Sequence, residues 1–534
     1  MASFHPIIYV RGYAMTEQER NETSADPFCG FNVGSTVYRA TPDKTARADK
    51  YVFESPLLRL VTDFGYRHVY QNGADILDAD WAPPPDAEGK PTTGIPPQSI
   101  VVYRYYDDGS GLLGSGKAKR IEAYAEGLGA LIEKVKALVC AWRGKAGEHV
   151  EPKDFRCYVV AHSMGGLVVR AFLQNAQLGR PDARASISKF FTFATPHNGI
   201  DVAGLNVPSW LTESESNTFN RERMAEFLDM KAIAGTNDGR VDFMPEEVLS
   251  SDRIFCMVGT NRGDYEVAMG IVRAFVGHGS DGLVRIANAS LWGYDGANKA
   301  PTKPVATAYA YRSHSGFFGI VNSEEAYQNL VRFLFGDIRV DVWLDIESVR
   351  LPAALEAVAQ KVEALYQFEL LAAPRGKRWF LTRRVAEEDS PACRTHKQLT
   401  QSQAPNDKSI YMSTVFLANR ARVDQGRPSL AYAMTVAVRV PDYQVDKRFW
   451  PDQHYEGGNL FRDTAIIEMT PPQAEGGDWI VKFSWMSNSE GVATKKLKYQ
   501  DLNGAGKVRI DVPFDNPKRP GITGSIGLIV TPWS

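Results

Sequence analysis

Up to about residue 336, short runs of β-branched and aromatic residues alternate with stretches in which apolar residues recur at helical spacing. The runs that predict strands are residues 6–10, 99–106, 155–160, 190–194, 253–258 and 305–311. The amphipathic stretch 117–143 predicts a long helix, and 323–335 predicts a closing helix that ends at Gly336. Strands that alternate with helices are typical of a mostly parallel sheet covered by helices on both faces.

The pattern changes after residue 337. Ile338, Val340, Val342, Leu344 and Ile346 alternate with mainly polar neighbours, which predicts a half-buried strand. A helix is predicted over 352–366, and short β-rich runs separated by turn residues follow it. Such spacing predicts an antiparallel, sandwich-like arrangement.

The two patterns predict two domains, an α/β domain over residues 1–336 and a mainly β domain over 337–534. A chain of 534 residues also exceeds the size at which one hydrophobic core usually stops growing. Two long insertions, at about 14–98 and 200–250, interrupt the α/β pattern. Connections of this length are usually caps, binding loops or linkers.

Composition narrows the function classes. The chain is 44% hydrophobic and 23% charged, which is ordinary for a globular protein. Its net charge of -2 lacks the basic excess of a nucleic-acid reader, so no nucleic-acid partner is expected. The five cysteines are scattered and show no paired ligand spacing, so no metal site is expected.

The N-terminal segment lacks the basic residues and the apolar length of a signal peptide. No run of about 18 apolar residues occurs that would predict a transmembrane helix. We therefore expect a cytoplasmic protein with reduced thiols. Export that needs no cleavable signal stays open as an alternative.

One short segment carries the candidate chemistry. The β-branched run that ends near Ala161 leads into Ala-His-Ser-Met-Gly-Gly, and a helix-forming run follows. A nucleophilic serine on a strained strand-to-helix turn needs small residues two positions before and after it, and these are Ala161 and Gly165 around Ser163. A serine that only caps a helix is the structural alternative.

This segment resembles the nucleophile elbow of lipases in the α/β-hydrolase superfamily, including small bacterial lipases that also have Ala at the first small position. The resemblance implies an α/β-hydrolase domain that cleaves carboxylic, lipid-type esters with Ser163 as nucleophile and without a cofactor. Some related lipases bind calcium or zinc, but their ligand sets are not matched here.

Activation of a serine requires an imidazole base and a carboxylate, which follow the serine in this superfamily. His314 lies between a predicted strand and the closing helix, where the resemblance places the catalytic base. Gly-Ser-Asp281-Gly-Leu-Val resembles the lipase segment that carries the acid, so Asp281 is the expected partner. Asp264, in the loop directly after a predicted strand, is the alternative acid.

The oxyanion hole is expected to use two backbone N–H groups. One belongs to Met164, directly after the nucleophile. The segment Pro-Ile-Ile-Tyr-Val-Arg11-Gly12-Tyr13 resembles the lipase strand and loop that supply the second, which assigns Tyr13. Arg11 replaces the usual histidine there. The segment Thr-Pro-His197-Asn-Gly also resembles a lipase loop, and we interpret His197 as a residue that orders this loop.

Residues 200–250 are predicted to form a helical cap over the nucleophile. Met224, Phe227, Leu228 and Ala232 recur at helical spacing, so one face of this segment would close on an acyl chain. The alternative is that the same stripe belongs to the static core.

Several functions share this predicted chemistry. A lipase or esterase is the leading hypothesis, and a phospholipase or an acyltransferase would use the same three residues. A hydrolase domain retained only as a binding scaffold is the alternative from a different class. The C-terminal region resembles in outline the β-sandwich appended to some animal lipases, which implies contact with a lipid surface or with a partner.

Overall fold

The computed structural model describes residues 4–12, 36–39, 49–52, 55–69, 76–77, 79, 81–85, 89–105, 119–144, 149–202, 205–206, 216–263, 279–315, 319–422, 424–445, 453–472, 477–488, 495–502 and 506–534. Two predicted residues, Tyr13 and Asp264, lie outside these ranges. All statements below concern the described residues.

The strands up to residue 310 are, in chain order, β1 (Ile7–Val10), β2 (Thr36–Arg39), β3 (Asp49–Val52), β4 (Arg67–His68), β5 (Ser99–Tyr103), β6 (Cys157–His162), β7 (Ile187–Phe193), β8 (Asp201–Val202), β9 (Leu205–Asn206), β10 (Phe243–Pro245), β11 (Ile254–Gly259), β12 (Trp292–Asp295), β13 (Ala300–Pro304) and β14 (Ala306–Ala310). The α-helices are α1 (Ser55–Phe64), α2 (Ile121–Ala141), α3 (Met164–Gln174), α4 (Pro181–Ala185), α5 (Arg221–Phe227), α6 (Lys231–Thr236), α7 (Glu324–Phe335), α8 (His396–Gln401) and α9 (Pro405–Lys408).

The remaining strands are β15 (Ile338–Arg350), β16 (Val362–Pro374), β17 (Thr382–Arg384), β18 (Ala392–Thr395), β19 (Ser409–Leu417), β20 (Leu430–Val445), β21 (Gln453–Thr470), β22 (Ile480–Trp485), β23 (Lys495–Leu497), β24 (Tyr499–Asp501), β25 (Val508–Asn516) and β26 (Gly521–Pro532).

Within the described chain, seven strands form a parallel sheet in the order β14-β11-β7-β6-β1-β5-β4. All six strands predicted from the sequence belong to it, within a few residues of the expected bounds. The central strand β6 pairs in parallel with β1 on one side and with β7 on the other. This order brings the loops that follow these three strands together at one edge of the sheet.

The sheet is buried on both faces because its strands are apolar throughout. Every residue of β1, β6 and β11 is buried, which is typical of parallel strands covered by helices. Val159 of β6, Leu128 of α2 and Leu167 of α3 belong to one apolar core. The predicted helices 117–143 and 323–335 are confirmed as α2 and α7.

The shortest strands were not predicted from the sequence. The two-residue strand β4 extends the parallel sheet, and β10, β12 and β13 form a small separate sheet in the part of the chain that is described. The two residues of β4 are too few to establish a period of two, and β10, β12 and β13 contain proline or glycine, which are depleted in strands.

The C-terminal strands form two antiparallel sheets among the described residues, in the orders β19-β15-β26-β25-β24 and β17-β16-β20-β21-β22-β23, with β18 paired to β16. Val340 and Leu528 from the first sheet share one core with Phe368 and Val438 from the second. The predicted antiparallel, sandwich-like arrangement agrees with these sheets.

The predicted helix over 352–366 is wrong from residue 362 onward. A 3₁₀ helix covers Ala353–Lys361, and strand β16 begins at Val362. The Ala- and Glu-rich composition favours a helix locally, but pairing of β16 with β18 and β20 provides long-range hydrogen bonds and buries Phe368 and Leu370.

The chain divides into two compact units, Met1–Val305 with Arg312–Tyr327, and Ala306–Tyr311 with Gln328–Ser534. That two independent domains meet between residues 336 and 337 stays a prediction. No helix in the described ranges is long and apolar enough to cross a membrane.

Of the segment proposed as a cap, the structure describes residues 200–202, 205–206 and 216–250. Met224, Phe227 and Leu228 are buried in the same core as α2 and α3, whereas Ala232 is exposed. The helical spacing breaks before Ala232 because α5 ends at Phe227 and Asp229 adopts a left-handed φ of 54°. The apolar stripe therefore supports the alternative of a static core segment.

We expect the amides of residues 224–230 to exchange with solvent as slowly as those of β6, because Met224, Phe227, Leu228 and Met230 are part of the main core. Hydrogen exchange followed by mass spectrometry, before and after a long-chain phosphonate is bound to Ser163, measures this. Fast exchange that becomes slow with the inhibitor would instead establish a lid.

Candidate active site

Ser163 lies on the sharp turn between β6 and α3. Its φ of 52° and ψ of -128° are rare for a residue with a side chain. The Ser163 N–H donates to the carbonyl oxygen of Phe193 at 2.9 Å, which ties the turn to the end of β7. Backbone strain of this kind persists only where the surroundings enforce it, and it is common at functional sites.

The two glycines after Ser163 are required by close packing. A Cβ atom on Gly165 would lie 2.4 Å from the carbonyl oxygens of Val10 and Arg11 at the end of β1. A Cβ atom on Gly166 would lie 2.2 Å from Oγ1 of Thr195. The small residue expected two positions after the nucleophile is therefore needed because α3 begins directly against β1.

The structure brings Ser163, His314 and Asp281 together although they are far apart in the chain. Nδ1 of His314 lies 2.9 Å from Oδ2 of Asp281, and Nε2 lies 2.9 Å from Oγ of Ser163. A carboxylate oxygen accepts, so Nδ1–H donates to Asp281 and Nε2 is left to accept the Ser163 hydroxyl proton. This is the tautomer that a general base next to a serine requires.

Asp281 is held by its own loop. Its Oδ1 accepts from the N–H groups of Leu283 at 3.0 Å and Val284 at 2.7 Å, so Oδ2 alone faces His314. The His314 N–H also donates to the Asp281 carbonyl oxygen at 2.9 Å. A Cβ atom on Gly259, the last residue of β11, would lie 2.8 Å from Cβ of Asp281. Only glycine at this position leaves room for the Asp281 side chain.

A second buried network supports the Asp281 loop. Oδ2 of Asp201 accepts from Nδ2 of Asn288, and Oδ1 accepts from the guanidinium of Arg221, each at 2.8 Å. Asn288 ends the 3₁₀ helix Ile286–Asn288, which directly follows the loop. The loop after β7 is joined through Asn198, whose Nδ2 lies 3.3 Å from Oδ1 of Asn288. No sequence motif indicated this network.

Met164, one of the two predicted oxyanion donors, directly follows Ser163 at the start of α3. Met164 is the first residue of α3, and the first N–H groups of a helix have no partner within the helix. Tyr13 lies outside the described residues, so its role stays a prediction. The preceding Arg11 is fully buried, and its carbonyl oxygen accepts from the Tyr105 hydroxyl at 3.0 Å.

His197 is fully buried in the loop that follows β7. Its Nε2 lies 3.2 Å from Oγ1 of Thr192, and its carbonyl oxygen accepts from Arg170 at 2.8 Å. The buried Arg170 also donates to the carbonyl oxygens of Val241 and Phe243, so it joins α3 to two other segments. These contacts suit a residue that orders its loop.

The sequence analysis assigned no role to His162, which the structure places in contact with the proposed base. Its Nε2–H donates to the carbonyl oxygen of His314 at 3.0 Å, and the two rings lie 5.1 Å apart between centroids. The only sequence feature that could have indicated this contact is the position of His162 directly before Ser163.

Two buried imidazoles make stability depend on pH. Burial, with a smaller effect of His314, lowers the pKa of His162 from 6.5 to about 3. Burial, with Arg170 nearby, lowers the pKa of His197 well below 6.5. Both rings therefore stay neutral in the folded protein at pH values at which the same rings gain a proton in the unfolded chain.

Their contribution to stability is fully present above pH 6.5 and decreases as the pH falls below it. Each group should reduce the free energy of unfolding by about 1.4 kcal/mol per pH unit below that point. When the free energy of unfolding by urea is plotted against pH between about 7.5 and 5.5, its slope should be shallower for His197→Gln, by about half a proton averaged over this range. An unchanged slope would contradict the neutral state of His197.

Among the residues that the structure describes, no group of three His, Cys, Asp or Glu side chains is placed to hold a metal ion.

No protein-family model matches the chain, and no curated protein does. Among solved structures, the lipase BlEst2 of Bacillus licheniformis in its mature form is 14% identical, with 62% of this chain and 92% of that chain covered and a TM-score of 0.31. Phospholipase PlaB of Legionella pneumophila is 13% identical, with 85% and 90% covered and a TM-score of 0.30. Similarities with identities and TM-scores this low do not support a functional assignment. The functional interpretation rests on the site itself.

Proposed function

We propose that this protein is a serine hydrolase that cleaves carboxylic, lipid-type esters through an acyl-Ser163 intermediate. The observation that carries the proposal is the continuous series of hydrogen bonds from Ser163 through His314 to Asp281, at 2.9 Å each. All three side chains are buried, which strengthens the electrostatic interactions among them. The preference for lipid-type esters rests on the resemblance of the elbow segment.

The geometry supports a two-step acyl transfer. Oγ of Ser163 attacks the ester carbonyl carbon while Nε2 of His314 takes the hydroxyl proton. The oxyanion accepts from the N–H of Met164 and, by the predicted assignment, from that of Tyr13. His314 then protonates the leaving alcohol and later activates the water that hydrolyses the acyl-enzyme.

A fluorophosphonate probe tests this proposal directly. We expect one label per chain, found on Ser163 by peptide mass spectrometry, and competition by p-nitrophenyl esters. An unlabelled, folded protein would contradict the proposal and favour a binding scaffold.

Turnover of p-nitrophenyl esters of increasing chain length and of phospholipids then separates an esterase from a phospholipase. Addition of an alcohol acceptor to the same assay reveals acyl transfer.

A further inference from the structure

The first observation concerns the hydrogen bond of His162. This side chain belongs to the last residue of β6 and is 1% exposed. Its Nε2 lies 3.0 Å from the carbonyl oxygen of His314. Because a carbonyl oxygen only accepts, the His162 proton is on Nε2 and its lone pair is on Nδ1. His162 therefore restrains the backbone of the proposed base.

The second observation is the contact of the two imidazoles, whose centroids lie 5.1 Å apart and whose planes are inclined by 39°. Burial lowers the pKa of His162 to about 3, so this ring stays neutral near neutral pH. A neutral ring does not repel the imidazolium that His314 forms during proton transfer. A lysine or arginine at this position would do so.

The third observation places His162 against the other side of the site. The Cβ position of Gly12 lies 2.8 Å from Nδ1 of His162 and 3.1 Å from Cβ of Ser163. No group among the described residues hydrogen-bonds to this Nδ1. The ring thus packs against the glycine that directly precedes Tyr13 in the predicted oxyanion loop.

From these contacts we propose that His162 is a positioning residue, which holds the backbone of His314 on one side and that of Gly12 on the other at a set separation around Ser163. The inference rests on the proposed function, because it concerns the same site. His162 donates to a backbone carbonyl and lies behind His314, so it acts through the base rather than on the substrate.

Two substitutions separate the hydrogen bond from simple filling of space. His162→Leu fills the ring volume but removes the donor. His162→Gln retains an N–H group that can reach the His314 carbonyl oxygen. We expect kcat of His162→Leu to fall by about 10²-fold with little change in KM, as small misplacements of a base commonly cause. His162→Gln should recover most of this loss.

A matched control comes from the second unit. His396 is also buried, and its Nδ1 lies 3.0 Å from the Tyr366 hydroxyl. His396→Gln should reduce thermal stability without changing kcat per site labelled by fluorophosphonate. If His162→Leu behaves in the same way, His162 has only a structural role and the proposal is overturned.

A second measurement needs no substrate. The proton on Nδ1 of His314, which is bonded to Asp281, has an NMR resonance that depends on the orientation of the ring. It should shift in His162→Leu and return toward its wild-type position in His162→Gln. If the wild type neither hydrolyses esters nor reacts with fluorophosphonate, the proposed function fails, but this resonance still decides whether His162 orients His314.

The contact with Gly12 has its own test. Gly12→Ala adds a methyl group against Nδ1 of His162, so it should lower kcat in the wild type and lower it less in His162→Ala, which lacks the ring. His162→Ala also replaces His162→Leu if the latter does not fold, because alanine has no donor for the His314 carbonyl oxygen. Additive effects would show that His162 does not position the Gly12 segment.

Discussion

Ser163→Ala should lower ester turnover by about 10⁶-fold, the loss seen when a triad nucleophile is removed. The alanine lacks the oxygen that attacks the carbonyl carbon and that donates to Nε2 of His314. The remaining rate would come from the oxyanion donors and from binding alone. Initial rates with a short p-nitrophenyl ester measure the effect.

The same variant should remain folded. The bond from the residue 163 N–H to Phe193 is a backbone contact, and alanine can keep it. Ser186→Ala is the matched control, since Ser186 is buried and its Oγ donates to the carbonyl oxygen of Asp182, away from the site. Turnover of Ser163→Ala within tenfold of wild type would refute the assignment of the nucleophile.

Asp281→Asn should lower turnover by about 10⁴-fold through the wrong tautomer of His314. The N–H groups of Leu283 and Val284 would hold the asparagine oxygen in the place of Oδ1. The amide NH₂ would then face Nδ1 of His314 and donate to it. Nε2 would carry the proton and could no longer accept the one from Ser163.

Asp264→Asn is the comparison that tests the alternative acid. It should reduce kcat far less than Asp281→Asn, and the thermal midpoints of both variants establish that they are folded. A larger loss of kcat in Asp264→Asn would assign the acid to Asp264. Comparable losses in both variants would mean that they do not arise from the tautomer of His314 alone.

The parts of this protein that depend on near neighbours in the chain were predictable. Each strand of the central sheet longer than two residues appeared as an apolar run, because a strand buried on both faces needs no polar position. The elbow was also local, since the small residues around Ser163 answer a steric demand that acts over two positions. The chain order of serine, acid and histidine then restricted the candidates to a few residues.

Local patterns failed where long-range pairing or packing overrode them. The segment that begins at Val362 has a helix-forming composition but lies in β16 because β17, β18 and β20 pair with this strand. The stripe from Met224 to Leu228 has the period of an amphipathic helix in either a lid or a core segment. Its burial was decided by α2 and α3, which are distant in sequence.

The sequence by itself determined the parallel α/β class, the strand–turn–helix around Ser163 and a short set of candidate partners. Only the tertiary structure brought His314 to Ser163 across 151 residues and to Asp281 across 33, and placed His162 against Gly12. The reason is that periodicity and steric demands act between near neighbours, whereas these contacts follow from the order β11-β7-β6-β1 of the strands, which sets which loops meet. No local run of residues specifies that order.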